Sequence, residues 1–353
     1  MYICYAFMNI CLGVVHVLVD KASIKHGKGE GCEIRRQWIL GDPNRALLSK
    51  PAIAKGCELC FAGAKSVIFI TGLCDDGCYY CPVSRDRLNK DVFYVNEVPV
   101  STISEVLLEL ARSGSRGASI TGGDPLVRSD RTTKLVKEIK DHFGDNFHVH
   151  LYTSGRYATT GVLRALDRAG LDEIRFHPTK MEFLSRAKAA KENTSMSVGV
   201  EIPVAPHIEE WVKDIIVRAD RLGLDFVNLN EMEFVEPNAR ALLARGLRES
   251  ATRPFTVEGS LKTAIRIISW ARDNVSIPVH FCPATFKDEI QTRNRLRVAS
   301  LRDLRWNEEP LASGTLLEYS CIAGKGVLVK REVYPTPSRR PVVAEEIVGD
   351  CPD

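Results

Sequence analysis

The sequence predicts an α/β protein with a parallel sheet and helices packed against it. Short β-branched runs alternate with amphipathic stretches of helical length from about residue 67 to residue 282. Within the strand runs, apolar and polar side chains alternate, where a sheet buried on both faces would read as continuously apolar. The 353 residues, 44% apolar and 26% charged, supply enough apolar material for a large core.

The expected strands are 67–71, 117–121, 147–152, 172–177, 197–203, 226–231 and 277–282. Helices are expected between them at 102–113, 130–142, 158–169, 181–192, 208–222, 236–248 and 260–273. The chain divides into an N-terminal extension (1–56), a central barrel region (57–306) and a small C-terminal β element (307–353) with three short strand-like runs. The first nineteen residues, MYICYAFMNICLGVVHVLV, carry no Lys, Arg, Asp or Glu. Their length would allow a membrane anchor; a signal peptide fits less well, because no basic region precedes them and no small-residue cleavage site is evident. A packed extension, or a start upstream of the working protein, is expected instead, with a cytoplasmic location and no membrane association. Cys4 and Cys11 read there as apolar residues. The Gly-rich stretch 27–31 lacks the phosphate-loop pattern and reads as a loop.

Side chains on a strand alternate between two faces. Phe147, Val149 and Leu151 oppose His148, His150 and Tyr152; Ile174 and Phe176 oppose Arg175 and His177. Val198, Val200 and Ile202 oppose Gly199 and Glu201; Val227 and Leu229 oppose Asn228 and Asn230; Val279 and Phe281 oppose His280 and Cys282. If the apolar set lies under the helices, the polar set lines an interior cavity. An antiparallel sheet with one wet face would give the same alternation, but the intervening helices argue against it. No histidine is assigned a role, because a lone histidine is more often a satisfied core group.

A net charge of +3 is too small to argue for nucleic acid or membrane. Eleven cysteines is a high count. Their clustering as CxxxCxxC and CxxC fits metal ligation in a reducing compartment better than a disulfide framework. Cys74, Cys78 and Cys81 fall in the loop after the first strand, with Gly77 able to make a left-handed turn. Four thiolates normally hold a [4Fe–4S] cube, and here no fourth follows at matching spacing. Zinc fits less well, because compact structural sites usually supply four ligands.

CxxxCxxC with an aromatic residue before its last cysteine resembles the signature of the radical S-adenosylmethionine (SAM) superfamily. Ser119-Ile120-Thr121-Gly122-Gly123-Asp124-Pro125 resembles that family's GGEP segment, and Leu151-Tyr152-Thr153-Ser154-Gly155 its TNG-type strand end. The resemblance covers roughly residues 57–300. Within the superfamily the chain is similar to uncharacterised archaeal proteins related to pyruvate formate-lyase activating enzyme. Those carry a GCxxC segment just before the first strand, found here as Gly56-Cys57-Glu58-Leu59-Cys60.

The resemblance implies a partial (β/α)6 TIM-like barrel of parallel strands. It implies a [4Fe–4S] cluster on Cys74, Cys78 and Cys81, with SAM on the fourth iron. One electron, from a donor such as ferredoxin or flavodoxin, then gives a 5′-deoxyadenosyl radical that abstracts hydrogen from an unidentified substrate. Tyr80 would lie beside the adenine, and Gly122 and Gly123 would let backbone carbonyls approach the methionyl ammonium. Asp124 stands where Glu is commoner and would contact that ammonium. Thr153 and Ser154 are candidates for polar contacts to SAM. Arg175 would pair the methionyl carboxylate or bridge carboxylates inside the barrel, and Glu201 would meet ribose hydroxyls or substrate. A glycyl-radical-enzyme activase and a non-catalytic Fe–S or zinc module that kept the fold are the alternatives.

Cys57 and Cys60 precede the first strand, and Cys282 ends the last. In a nearly closed barrel the first and last strands are neighbours. These three cysteines are therefore candidates for a second site, an auxiliary Fe–S cluster or zinc, with Cys321, Cys32 or His280 as fourth ligand. A redox dithiol is the other reading of the CxxC pair. Cys351 reads as an unpaired tail residue. Lys287, Arg293, Arg295, Arg297, Arg302 and Arg305 could bind RNA phosphates, but a solvated helix face balanced by Asp288, Glu289 and Asp303 is favoured.

Overall fold

In the computed structural model, the residues described are 46–286, 292–302, 304–313, 315–322, 327–333 and 342–351. The apolar N-terminal run, the Gly-rich stretch, Cys4, Cys11, Cys32 and Lys287 lie outside them. The first elements among the described residues are β1 (Leu47–Leu48), α1 (Lys55–Phe61), β2 (Lys65–Thr71) and a hairpin of β3 (Tyr94–Val95) and β4 (Val98–Pro99). It continues through α2 (Ile103–Arg112), β5 (Gly117–Gly122), α3 (Ser129–Phe143), β6 (His148–Thr153), α4 (Thr160–Arg168), β7 (Glu173–Phe176) and α5 (Leu184–Asn193). Then come β8 (Ser197–Val204), α6 (Glu209–Arg221), β9 (Phe226–Glu231), α7 (Glu236–Leu243), α8 (Ser260–Asn274) and β10 (Val279–Cys282).

β2, β5, β6, β7, β8, β9 and β10 are parallel neighbours in chain order. Six strand–helix units are thus followed by a further parallel strand, a partial TIM-like barrel. One face of each strand meets the helices. Val149, Leu151, Ile174, Phe176, Val198, Val200, Val227, Leu229 and Phe281 are fully buried, in one cluster with Leu135, Ile139, Leu163, Leu166, Ile215, Ile216 and Ile267 of the helices. Each such aliphatic side chain contributes roughly 1.5–3 kcal/mol on burial. Helix starts are set locally. Thr102 accepts from the Glu105 amide and the Glu105 carboxylate accepts from the Thr102 amide, a reciprocal cap for α2.

The barrel does not close on itself. β1 pairs antiparallel with β10, and β3 pairs antiparallel with β2, so the first and last parallel strands are not neighbours. The partial barrel expected is found, but the first and last strands are not the neighbours that a meeting of Cys57, Cys60 and Cys282 assumed. The two-residue strands that cover the edges have no periodicity to reveal them, and they remove the unpaired edges that closure would otherwise have to satisfy. The helix α1 seats against the far end of the interior. The Gly56 amide donates to Glu173 Oε2 at 3.3 Å. A Cβ at position 56 would stand 2.5 Å from His150 Nδ1 and 2.7 Å from Arg175 Nη2, so only glycine lets the helix sit there. Ala54 and Cys57 pack with Phe226 on the same plug.

After β10 follow the short α9 (Ala284–Phe286), α10 (Arg293–Arg302) and an antiparallel sheet in the order β11 (Glu308–Pro310), β12 (Leu316–Ile322), β13 (Val327–Val333), β14 (Val342–Asp350). Cys321 and Cys351 are joined in a disulfide. Cys351 is therefore not an unpaired tail residue, and Cys321 is not available as a metal ligand. The pairing of β12 through β13 to β14 returns the chain end to β12 across 30 residues, a proximity that spacing does not reveal.

Candidate functional site

The parallel strands direct their C-terminal ends toward a cavity of about 660 Å³. Its lining includes Cys74, Gly77, Cys78, Tyr80 and Cys81 of the cysteine loop, Gly122, Gly123, Thr153 and Ser154 at the ends of β5 and β6, and Lys65, Ser119, Tyr152, Glu201 and Asn230 along the strands. The polar strand face therefore does line an interior, as the alternation predicts. Loops at this end of a (β/α) barrel are where such folds build active sites.

The cysteine loop is held by backbone bonds at both ends. Gly72 N donates to Lys90 O at 2.8 Å, Asn89 N returns to Gly72 O at 2.8 Å, and Cys81 N donates to Cys78 O at 3.1 Å. Gly77 has φ +59°, the left-handed turn expected of it. Burial raises the Cys74 thiol and pushes Cys78 up to about 12. The charges that act on Cys74 are Asp76 and Asp124, which also oppose ionisation. The loop alone thus offers no cation to hold thiolates. A bound metal supplies one, and a coordinating thiol is deprotonated outright. This donor set fits an iron–sulfur group.

The glycine pair is fastened to the base of that loop. Gly123 N donates to Thr71 O and Asp124 N to Leu73 O, both at 2.8 Å. A Cβ on Gly122 (φ +152°) would collide with the Thr71 carbonyl, and one on Gly123 with the Leu73 carbonyl. Side-chain-free backbone therefore forms this wall. Asp124 lies behind it, 1% exposed and off the cavity lining. Its carboxylate accepts from Thr153 Oγ1 (3.0 Å), Ser154 N (3.1 Å), Ser154 Oγ (2.7 Å) and Leu126 N (2.9 Å). The structure thus assembles Gly122, Gly123, Thr153 and Ser154 around one buried acid.

Tyr80 OH lies 2.8 Å from His177 Nε2, and His177 Nδ1 lies 2.9 Å from the Glu201 carbonyl. The carbonyl can only accept, so Nδ1 carries the proton and Tyr80 donates to Nε2. Burial lowers the His177 pKa, consistent with a neutral ring. Arg175 is buried beneath the cavity lining and spans Glu173 Oε1 (2.5 Å) and Glu201 Oε2 (2.7 Å). It bridges carboxylates inside the barrel, one of the two arrangements expected. Burial raises the Glu201 pKa, but Arg175 and the amides of Asn230 and Asn228 outweigh it and hold the carboxyl at about 2.

Asp76 is a site residue that the sequence reading missed. Oδ1 accepts from Arg156 Nη2 at 2.7 Å and Thr179 Oγ1 at 3.2 Å, while the buried Oδ2 has no hydrogen-bond partner and the residue lines the cavity. Its only sequence signal was a place between two loop cysteines. Of the second-site candidates, Cys57 and Cys60 are buried on α1, with Asn228 Nδ2 donating to Cys57 Sγ at 3.4 Å. Cys282 ends β10, in register with Asn230, and His280 is buried with Nδ1 3.2 Å from Asn228 Oδ1. Neither these three sulfurs nor those of Cys74, Cys78 and Cys81 form a set within 4.8 Å, a spacing that belongs to a single ion and not to a cluster. On the basic stretch, Arg295 turns inward to Asn96 (3.3 Å) and Arg305 faces Glu308 (3.8 Å); the Arg302 side chain lies outside the described residues.

The sequence pattern of the radical SAM superfamily matches residues 68–182, which span the cysteine loop, the glycine pair and Ser154. A Methanocaldococcus jannaschii protein, provisionally named a glycyl-radical enzyme activating enzyme, is 39% identical over 254 residues, covering 69% of this chain and 67% of that protein. The chain belongs to the radical SAM superfamily. The 7-carboxy-7-deazaguanine synthase of Flavobacterium psychrophilum is 29% identical over 100 residues, 28% of this chain and 42% of that enzyme. Among solved structures, Streptococcus suis SuiB bound to its precursor peptide SuiA is 12% identical with a TM-score of 0.45, covering 62% of this chain and 48% of that one. The protein is thus an enzyme of the radical SAM type. Among the described residues no helix is long and apolar enough to cross a membrane.

Proposed function

We propose that Cys74, Cys78 and Cys81 hold three irons of a [4Fe–4S] cluster and that SAM occupies the cavity beside it. When bound and given one electron by a donor such as ferredoxin or flavodoxin, these groups would supply hydrogen-atom abstraction by a 5′-deoxyadenosyl radical, with methionine as the other product. The protein's part is position, electrostatics and exclusion of water. Gly122 and Gly123 offer bare backbone to the methionyl ammonium. Thr153 and Ser154 stand at the same wall, oriented from behind by Asp124. Tyr80, fixed by His177, gives the adenine an aromatic neighbour. Glu201 and Asn230 face into the cavity as acceptor and donor for ribose hydroxyls or substrate. Arg175 acts from below, keeping Glu201 ionised. The helix α1 closes the far end.

One observation carries this reading: three thiols and two side-chain-free glycines line a single cavity. The test is anaerobic reconstitution with iron and sulfide, reduction, addition of SAM and assay for 5′-deoxyadenosine. Formation of that nucleoside supports the proposal; a loaded, reducible cluster that leaves SAM intact overturns it.

A protein substrate is favoured by one specific observation, the similarity to the Methanocaldococcus protein across most of the barrel. In that reading the hydrogen comes from a glycyl residue of a partner, with ferredoxin or flavodoxin as electron donor. An oxygen-sensitive glycyl radical detected by electron paramagnetic resonance on a second polypeptide supports it. Turnover with a small molecule alone, without any partner, counts against it.

A further inference from the structure

β6 places His148 and His150 on one interior face, and β7 brings Glu173 into register with His150. A donor atom from each lies within 4.8 Å of the others, the one such group of three among the described residues. All three are buried, His150 completely. Neither nitrogen of His150 has a hydrogen-bond partner, nor does Nε2 of His148. Buried imidazole nitrogens left unpaired cost stability, so something the chain does not itself supply must satisfy them.

Glu173 is built to share. Oε1 is held by Arg175 Nε at 2.5 Å. Oε2 lies 3.5 Å from His148 Nε2 and accepts a long bond from the Gly56 amide. One carboxylate oxygen is anchored and the other faces the imidazoles, the arrangement by which an outer partner orients a metal ligand. We propose that His148, His150 and Glu173 form a structural site for a divalent transition metal at the closed end of the barrel. Two imidazoles and one carboxylate suit zinc or ferrous iron, and suit poorly the hard cations that prefer oxygen alone. Arg175 is offset by Glu201, and Lys65 is a further positive charge acting on His150 that the carboxylate of Glu173 has to balance. None of the three ligands lines the reaction cavity, and α1 covers His150 from the other side. The ion would tie β6, β7 and α1 together and take no part in catalysis. The site is independent of the proposed cluster.

The test uses the full chain and, in parallel, its Cys74→Ala/Cys78→Ala/Cys81→Ala variant, in which the loop cannot hold metal. Each is stripped with a chelator and titrated with zinc alone or cobalt(II) alone. In the triple variant one equivalent is expected, with a higher melting temperature and a cobalt spectrum free of thiolate charge-transfer bands; the full chain is expected to bind that equivalent in addition to any ion held by its cysteine loop. His150→Gln and Glu173→Gln are expected to lose that equivalent. If His150→Gln does not fold, the cobalt spectrum of the triple variant decides. Thiolate bands in the triple variant would place the ion at Cys57 and Cys60 and overturn the proposal. So would retention of the ion by a folded His150→Gln, or the absence of any stoichiometric ion, which would leave the imidazoles to buried water.

Discussion

The Ser154 hydroxyl donates to Asp124 at 2.7 Å, and this bond ties the end of β6 to the segment that follows β5. Four donors converge on that one carboxylate. Asp124→Asn keeps the size but replaces one acceptor oxygen with a donor that faces donors. The variant is expected to lose about 2–4 kcal/mol of stability, read as a lower urea midpoint. SAM affinity is expected to fall with it, because Gly122 and Gly123 lose their backing. An unchanged midpoint would show that Asp124 does not organise this wall.

Gly123→Ala tests the wall itself. The added methyl collides with the Leu73 carbonyl, part of the backbone that fastens the cysteine loop. The overpacking is expected to cost roughly 1–3 kcal/mol. SAM binding by calorimetry should weaken about tenfold or more, equivalent to ~1.4 kcal/mol. A methyl tolerated with full SAM affinity would mean that the cofactor does not approach this backbone.

Cys78→Ser removes one of the three thiols while leaving the loop outside the apolar core. The reconstituted variant should lose the visible absorbance of its cluster and form no detectable 5′-deoxyadenosine, with the melting temperature of the metal-free chain nearly unchanged. Tyr80→Phe is the contrast. It deletes the bond to His177 and the hydroxyl's bond to the Cys78 thiol and should cost about 1 kcal/mol, with cluster absorbance retained.

His280 gives the pH prediction. Burial lowers its pKa from 6.5 to about 4, Glu201 opposing and Arg175 adding to the effect. The folded state therefore binds the proton less readily than the unfolded chain. The contribution to stability is complete above pH 6.5 and is lost as pH falls toward 4, about 3 kcal/mol across the interval. Urea midpoints measured between pH 4 and 7 should drop on acidification, and His280→Asn should flatten the drop. A midpoint that rises as pH falls over this window would contradict the assignment.

The seven parallel strands and the polar interior were legible because a period of two declares which side chains share a face. The cysteine loop was legible because its spacing is short and local. Other features depend on what lies across the fold. The side-chain direction of Asp124 is set by donors on the next strand, and the seating of α1 by the absence of a Cβ at Gly56 against His150. Nothing in the CxxC spacing tells that Cys57 lies under Asn228 while Cys282 ends a different strand. Cys321 and Cys351 meet only because three antiparallel strands are stacked in order. The unsatisfied oxygen of Asp76 appears only once Arg156 and Thr179 have claimed the other.

The helix plug carrying Gly56 turns the reaction chamber into a cul-de-sac. Whatever settles at its inner end, near Lys65 and Tyr152, is expected to arrive before the cysteine-lined part of the cavity fills and to depart after it clears. Turnover should therefore follow a compulsory order, with the innermost occupant first to enter and last to leave.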